Sequence, residues 1–226
     1  MYGGLAVRAS ALRKVYPGGT VALDGIDLEV AQGEFVFLLG RSGAGKTTLL
    51  RLLLAEETPT EGRLWIFGQL LNGAGERDIQ RLRRTVGMVW QDLRLIRGRT
   101  ALDNVALGLW VLGVPPGEAA RRAREALARV GLEDKAGQRV EFLSSGEQQR
   151  VAVARALARQ PRLILADEPT GNLDPTTSWQ VVSLLLEASG RGTTVIMATH
   201  AHALVRAAGQ RVIVLEEGRL REGERV

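Results

Sequence analysis

Residues Gly40-Arg41-Ser42-Gly43-Ala44-Gly45-Lys46-Thr47 fit the phosphate-loop pattern G-x-x-x-x-G-K-[ST] at every fixed position. Before them, Phe35-Val36-Phe37-Leu38-Leu39 is a continuous apolar run, as in a strand buried on both faces. After them, Thr48 to Leu54 reads as helix. A short glycine-rich pattern alone could be a turn without chemistry; strand, loop and helix in this order are the context in which it binds phosphate. The glycines let backbone N–H groups turn inward, and the helix N-terminus adds the positive end of its dipole at the same point. Lys46 is expected to reach the β and γ phosphates of a nucleotide, and Thr47 to place its hydroxyl on a magnesium ion.

The 226 residues, 45% hydrophobic and 24% charged, suit an ordinary globular chain with one domain and perhaps a subdomain. The absence of cysteine excludes a disulfide framework and a thiolate metal site. The N-terminal Met1-Tyr2-Gly3-Gly4-Leu5-Ala6 has no basic region followed by an apolar core, so no secretory signal is expected. The longest weakly polar run, Val105 to Pro116, falls short of the roughly 20 residues of a membrane helix. A net charge of +5, mostly arginine, fits nucleic acid, an anionic membrane surface or a basic solvated face, the last being the default.

In chain order, Leu5 to Ala11 and Val21 to Val30 read as strands around the turn Tyr16-Pro17-Gly18-Gly19, with Asp24-Gly25 as a second turn signal. Tyr16 is either a half-buried turn residue or an aromatic that stacks on a nucleobase. Arg63 to Gly68 supplies another short strand. The helix over Asp78 to Arg84 interleaves Ile79 and Leu82 with arginines, which suits a solvated face with two apolar anchors better than a nucleic-acid patch. Thr85 to Trp90 reads as a buried strand ending at Gln91, an amide placed either to meet a ligand or only to end the strand.

From Thr100 to Pro161 the chain turns to alanine- and arginine-rich helix, notably Gly117 to Val130 and Glu147 to Arg159. The second opens with Leu143-Ser144-Ser145-Gly146-Glu147, where Ser144 and Glu147 have capping-box spacing. The same helix start is also an anion site, so cap and phosphate sensor are compatible. Leu163 to Glu168 is a buried strand ending in two carboxylates, costly to bury without a cation or water to satisfy them. In a phosphate-loop chain Asp167 is expected to hold magnesium and Glu168 to polarise the attacking water. The turn Gly171-Asn172-Leu173-Asp174-Pro175 leads into a helix through Leu186. Strand Thr193 to Thr199 stops at His200, a candidate γ-phosphate sensor, and the chain closes with strand Arg211 to Leu215 and turn Glu216-Glu217-Gly218.

The phosphate loop, Gln91, Leu143 to Glu147, Leu163 to Glu168, Asn172-Leu173-Asp174 and His200 occur in the order of an ABC ATPase, and the resemblance covers essentially the whole chain. It implies an α/β fold: a P-loop NTPase core with a mainly parallel sheet, an N-terminal antiparallel β subdomain and an inserted α-helical subdomain. Residues 1–91 and 162–226 would form the core with its β subdomain, and roughly 92–161 the helical signature subdomain. It implies ATP held by Tyr16, Gly40, Arg41, Ser42, Gly43, Ala44, Gly45, Lys46, Thr47 and Thr48, with Mg2+ on Thr47, Gln91 and Asp167. Glu168, His200 and Gln91 would be catalytic. Tyr16 resembles the adenine-stacking aromatic, Gln91 the lid glutamine and His200 the switch histidine. Ser144, Gly146 and Asp174 would meet the nucleotide of a second copy in an ATP-bound homodimer.

Trp90 to Ile96, Ala166 to Pro175 and Met197 to His200 look most like the bacterial cell-division branch of the family. That branch implies an integral membrane partner resembling FtsX, docked near Gln91 and the helical subdomain, a place on the cytoplasmic face of the plasma membrane, and signalling to cell-wall hydrolases. The alternative is a subunit of a lipoprotein- or solute-exporting transporter. Nucleic-acid-associated members usually carry tandem cassettes, zinc cysteines or a long coiled coil, none of which is present, so no nucleic acid is expected. Three positions depart from the pattern: Ser145 stands where the signature usually has glycine, Ala201 where an acidic residue is common, and Arg97 where the branch often has proline.

Overall fold

The computed structural model describes residues 4–171 and 173–222; Asn172 of the Asn172-Leu173-Asp174 stretch, and Met1 to Gly3 of the N-terminal reading, lie outside them. A six-stranded sheet has the order β10-β9-β3-β8-β7-β6. Its strands are β3 (Phe35–Leu39), β6 (Val86–Val89), β7 (Leu163–Asp167), β8 (Thr194–Thr199), β9 (Arg211–Glu216) and β10 (Arg219–Glu222). β3 pairs in parallel with both β8 and β9, β7 with β6 and β8, and only β10 runs antiparallel, against β9.

Side chains alternate across this sheet as the two-residue period of a strand requires. Val36 and Leu38 of β3, Leu163 and Leu165 of β7, and Ile196 and Ala198 of β8 enter one apolar cluster. Phe35, Phe37 and Leu39, Ile164 and Ala166, and Val195 and Met197 enter another on the opposite face. Both faces are covered, which is why these strands read as unbroken apolar runs. Phe37 is fully buried at the centre. Phe37→Ala is therefore expected to lower unfolding stability by about 3–5 kcal/mol, measurable by urea titration.

The smaller sheet, β2-β1-β4-β5, is antiparallel: β1 (Leu5–Val15), β2 (Val21–Ala31), β4 (Glu61–Ile66) and β5 (Gln69–Leu70). It shares the first cluster with α1 (Lys46–Leu53). Asp24-Gly25, read from sequence as a turn, lies inside β2. The pairing slips there between Leu12↔Ile26 and Lys14↔Leu23, and Gly25 has φ +72, so the pair makes a β-bulge. Turn and bulge demand the same residue types.

A third cluster binds α3 (Ala101–Trp110), α4 (Pro116–Arg129) and α5 (Ser145–Ala158) through Val105, Leu109, Leu127, Val151 and Ala154. The Val105 to Pro116 run thus contributes a packed helix; among the described residues no helix is long and apolar enough to cross a membrane. α3 starts at a Thr100–Asp103 capping box. Around the strand read as Thr85 to Trp90 the boundaries differ from expectation: Thr85 ends α2 (Glu76–Thr85), and β6 stops at Val89, leaving Trp90 beyond the sheet.

Because the central strands are parallel, the chain leaves β3, β6, β7 and β8 at the same sheet edge. The phosphate loop, Gln91, Glu168 and His200 therefore converge there, where open α/β sheets take their ligands.

Candidate active site

The phosphate loop is shaped by backbone crowding. A Cβ on Gly40 would lie 2.4 Å from the Leu215 carbonyl oxygen, and one on Gly45, at φ +106, would lie 2.5 Å from that of Ala22. Only glycine fits at either position. Gly45 caps α1 without a side chain, and no acidic residue occupies the first turn. The first-turn N–H groups and the dipole therefore act together on whatever sits in the loop.

Lys46 folds over the same loop. Its Nζ donates to the carbonyls of Gly40 at 2.6 Å and Arg41 at 3.1 Å, and lies 3.2 Å from Glu168 Oε1. The side chain is only 7% exposed, so its charge acts at low dielectric.

β7 delivers the two carboxylates differently. Asp167 is the last strand residue, 3% exposed, and its Oδ1 has no hydrogen-bond partner. Burial pushes its pKa up. The Thr47 hydroxyl opposes that, Glu168 adds to it, and Lys46 and Arg51 oppose it more weakly. A carboxyl with a raised folded-state pKa holds its proton more tightly folded than unfolded, so ionising it as pH rises through that value costs stability. A cation beside Oδ1 removes that cost. The residues present thus fit magnesium: an orphaned buried carboxylate oxygen beside a phosphate-loop hydroxyl.

Glu168 leaves the strand in the left-handed region, at φ +45, a conformation costing a non-glycine residue about 1–3 kcal/mol. Its N–H is fixed to the Ala198 carbonyl at 3.0 Å. Its carboxylate lies between Lys46, at Oε1, and His200, whose Nδ1 is 3.0 Å from Oε2. The His200 contact is a close approach without hydrogen-bond alignment, and Oε2 stays an unsatisfied buried acceptor. His200 itself is 65% exposed against 10% for Glu168. A buried carboxylate oxygen with an open acceptor position is what a base for water requires.

Gln91 lies exposed beyond β6 and lines a cavity of about 360 Å³ with Thr47, Arg51, Trp90, Asp92, Arg94 and Asp167. Tyr16 is half-buried, its hydroxyl 3.4 Å from Thr48 Oγ1 and Lys14 Nζ 5.1 Å from its ring centre. The structure thus sets this aromatic against the phosphate-loop helix.

Ser144, Gly146 and Asp174 form a second group. Ser144 caps α5, accepting from the Glu147 N–H at 3.3 Å, while Glu147 Oε2 accepts from the Ser144 N–H at 2.9 Å. The Glu147 carboxyl also pairs with Lys135, and chiefly that pairing holds its pKa down to about 2. Asp174 caps α6 (Pro175–Gly190), accepting from the N–H groups of Thr176 and Thr177 at 3.0 and 3.1 Å. Gly146 meets that helix so closely that a Cβ would sit 2.8 Å from Thr177 Cγ2. Ser144 and Asp174 are exposed, and no hydrogen bond among the described residues joins them to the phosphate loop. Ser145 takes up the helix at its first position without positive φ, so its Cβ costs no backbone strain.

Sequence reasoning passed over Arg51, whose Nε is buried without a partner. Its spacing of four from Thr47, one helical turn on, is the signal that places both on the cavity wall.

The family model described as "ABC transporter" matches residues 23–171. The chain is 45% identical to the cell division ATP-binding protein FtsE of Bacillus subtilis, covering 91% of this chain and 90% of that protein. It is 49% identical to the protein of the same name from Mycobacterium tuberculosis, covering 88% and 86%. Among solved structures, a dimeric ATP-binding cassette in a post-hydrolysis state, bound to ADP and Pi, superposes with a TM-score of 0.88 at 36% identity, covering 96% of this chain and 98% of that one. With motifs, sheet order and relatives agreeing over nearly the whole length, the chain belongs to the ABC transporter family of ATPases.

Proposed function

We propose that the chain is the magnesium-dependent ATPase subunit of a membrane complex serving bacterial cell division, working as an ATP-bound homodimer. The supporting observation is the Glu168 carboxylate, held in a left-handed turn between Lys46 and His200 at the mouth of the phosphate loop. Relatives named as cell-division ATP-binding proteins support the biological setting, and a dimeric neighbour of similar fold supports the assembly.

In this reading the backbone N–H groups from Gly40 to Thr48 bind the phosphates and Tyr16 stacks on adenine. Lys46 exchanges the Gly40 and Arg41 carbonyls for β and γ phosphate oxygens. Glu168 takes the proton of the attacking water as its oxygen bonds to the γ phosphorus. The bond from that phosphorus to the bridging oxygen breaks, leaving ADP and phosphate. His200 contacts the γ-phosphate. Thr47, Asp167 and Gln91 would hold magnesium, which supplies charge neutralisation to the phosphates. Residues 92–161 act as the helical unit that presents Ser144 and Gly146, with Asp174, to the second copy.

The membrane partner is an integral protein resembling FtsX. Ile96 and Phe142, exposed to 44% and 69%, stand on two segments tied together by Gly98 N–H to Glu141 Oε2 and Val140 N–H to the Arg99 carbonyl, both 3.1 Å. These two exposed apolar side chains of the helical unit, Ile96 only five residues after Gln91, are where the partner docks. Cell fractionation tests this: the protein is expected in membranes when the gene for the FtsX-like partner is present and outside them when it is deleted. Unchanged membrane association would contradict it and point to another permease, or to direct lipid binding by the arginines.

A further inference from the structure

Arg155, near the far end of α5 from Ser144, reaches out of its helix to the segment that follows Gln91. Nη1 donates to the Arg94 carbonyl at 2.6 Å and Nη2 to the Leu93 carbonyl at 2.5 Å. A planar fork on two consecutive carbonyls needs an unusual backbone beneath it. Leu93 has φ +57 and Arg94 φ +46, two adjacent non-glycine residues in the left-handed region. The same segment is held from the nucleotide side. The Arg94 guanidinium stacks 3.6 Å above the Trp90 ring and lies 3.7 Å from Glu56, just past α1. Trp90, Gln91, Asp92 and Arg94 all face the cavity that contains Thr47 and Asp167.

α5 is a stiff receiver. Val151, Ala152, Val153 and Ala154 are wholly buried, and about 16 Å of continuous helix separates Arg155 from Ser144. Arg159, one turn on, makes an ordinary staple instead: its Nη2 donates to the Arg83 carbonyl at 2.7 Å, in α2 and away from the Gln91 segment. The geometry points to Arg155 as a positioning residue that carries a shift of the Gln91 segment on nucleotide binding into α5, and so to the cap at Ser144. This rests on the nucleotide-site reading above. A shift of the Leu93 and Arg94 carbonyls strains both bonds together, and the Arg155 stem passes that strain to its helix.

Arg155→Lys keeps the charge and most of the stem but loses the fork. It is expected to lower kcat about tenfold, as befits the loss of one charge-assisted hydrogen bond, with KM for ATP nearly unchanged. Arg159→Lys, losing a comparable bond, should lower the thermal midpoint similarly and leave kcat intact. Amide hydrogen exchange of dilute protein, with copies apart, reads the coupling itself. In the parent chain ATP with magnesium slows exchange at residues 92–95 and 145–149; in Arg155→Lys only 92–95 responds. If Arg155→Lys does not fold, Arg155→Gln, which keeps one donor, is expected to show the same split. A response at 145–149 that survives in the variant, or equal kcat losses in the Arg155 and Arg159 variants, would overturn the inference. If neither segment of the parent chain responds to ATP, the nucleotide site itself fails and the inference with it.

Discussion

In Glu168→Gln, ATP turnover is expected to fall by about 10²–10⁴-fold while the protein still binds ATP. The amide preserves the shape that fits between Lys46 and His200 and removes the one carboxylate oxygen left open for water. The left-handed backbone at position 168 is unchanged by the substitution, so the strained turn stays where it was. Measuring affinity by a fluorescent nucleotide and turnover by phosphate release separates the two effects. Turnover at the parent rate would remove Glu168 from the mechanism and leave Asp167 as the only buried carboxylate of the pair able to serve.

Lys46→Ala acts one step earlier. Its ammonium is the buried charge over the loop, and charge-assisted hydrogen bonds contribute about 1.5–3 kcal/mol, so binding should weaken about 10- to 150-fold. The Gly40 and Arg41 carbonyls also lose their donor, which loosens the empty cradle. Equilibrium titration with ATP and magnesium measures this, and unchanged affinity would contradict the proposed role. The contrast between the variants is diagnostic: the lysine variant loses affinity, and the glutamine variant keeps affinity while losing most of its turnover.

Much of this site is written in local sequence. The phosphate loop, its flanking strand and helix, and the apolar strand ending at Asp167 follow from residue type and spacing. Other features need tertiary context. The left-handed turn at Glu168 carries no local signature, since nothing about a glutamate after a strand demands positive φ. Its contacts with Lys46 and His200 join strands distant in sequence, set side by side by the β3-β8-β7 order. Tyr16 gained meaning only from family resemblance, and its contact with Thr48 depends on how the small sheet sits on α1. The short strand β5, the helix α7 (His202–Ala208) and the edge strand β10, only four residues long and mostly charged, lack the periodic apolar signal from which elements are read. α3 falls inside the Thr100 to Pro161 stretch that reads as helical, but its bounds are not legible there: buried along much of its length, it carries Gly108 and a buried Asn104 whose amide bonds Ile96 and Thr100.

Ser144 and Asp174 cap neighbouring helices and, in one chain, make no hydrogen bond to the phosphate loop. As proposed above, they complete a site in the second copy. Mixing two defective chains tests it most directly. Lys46→Ala has a dead phosphate loop and a sound signature; Ser144→Arg has a sound loop and a signature blocked by bulk. Neither homodimer retains an intact site. In the mixed dimer, the sound loop of the arginine variant faces the sound signature of the alanine variant, restoring one site. The measurement is ATP retained after rapid gel filtration, with each chain also carrying Glu168→Gln to prevent turnover. Neither chain alone is expected to retain ATP, and the mixed dimer is expected to retain up to one. Mixed dimers that form and retain no ATP would contradict the shared site, leaving Ser144 as the helix cap that its bond to Glu147 already makes it.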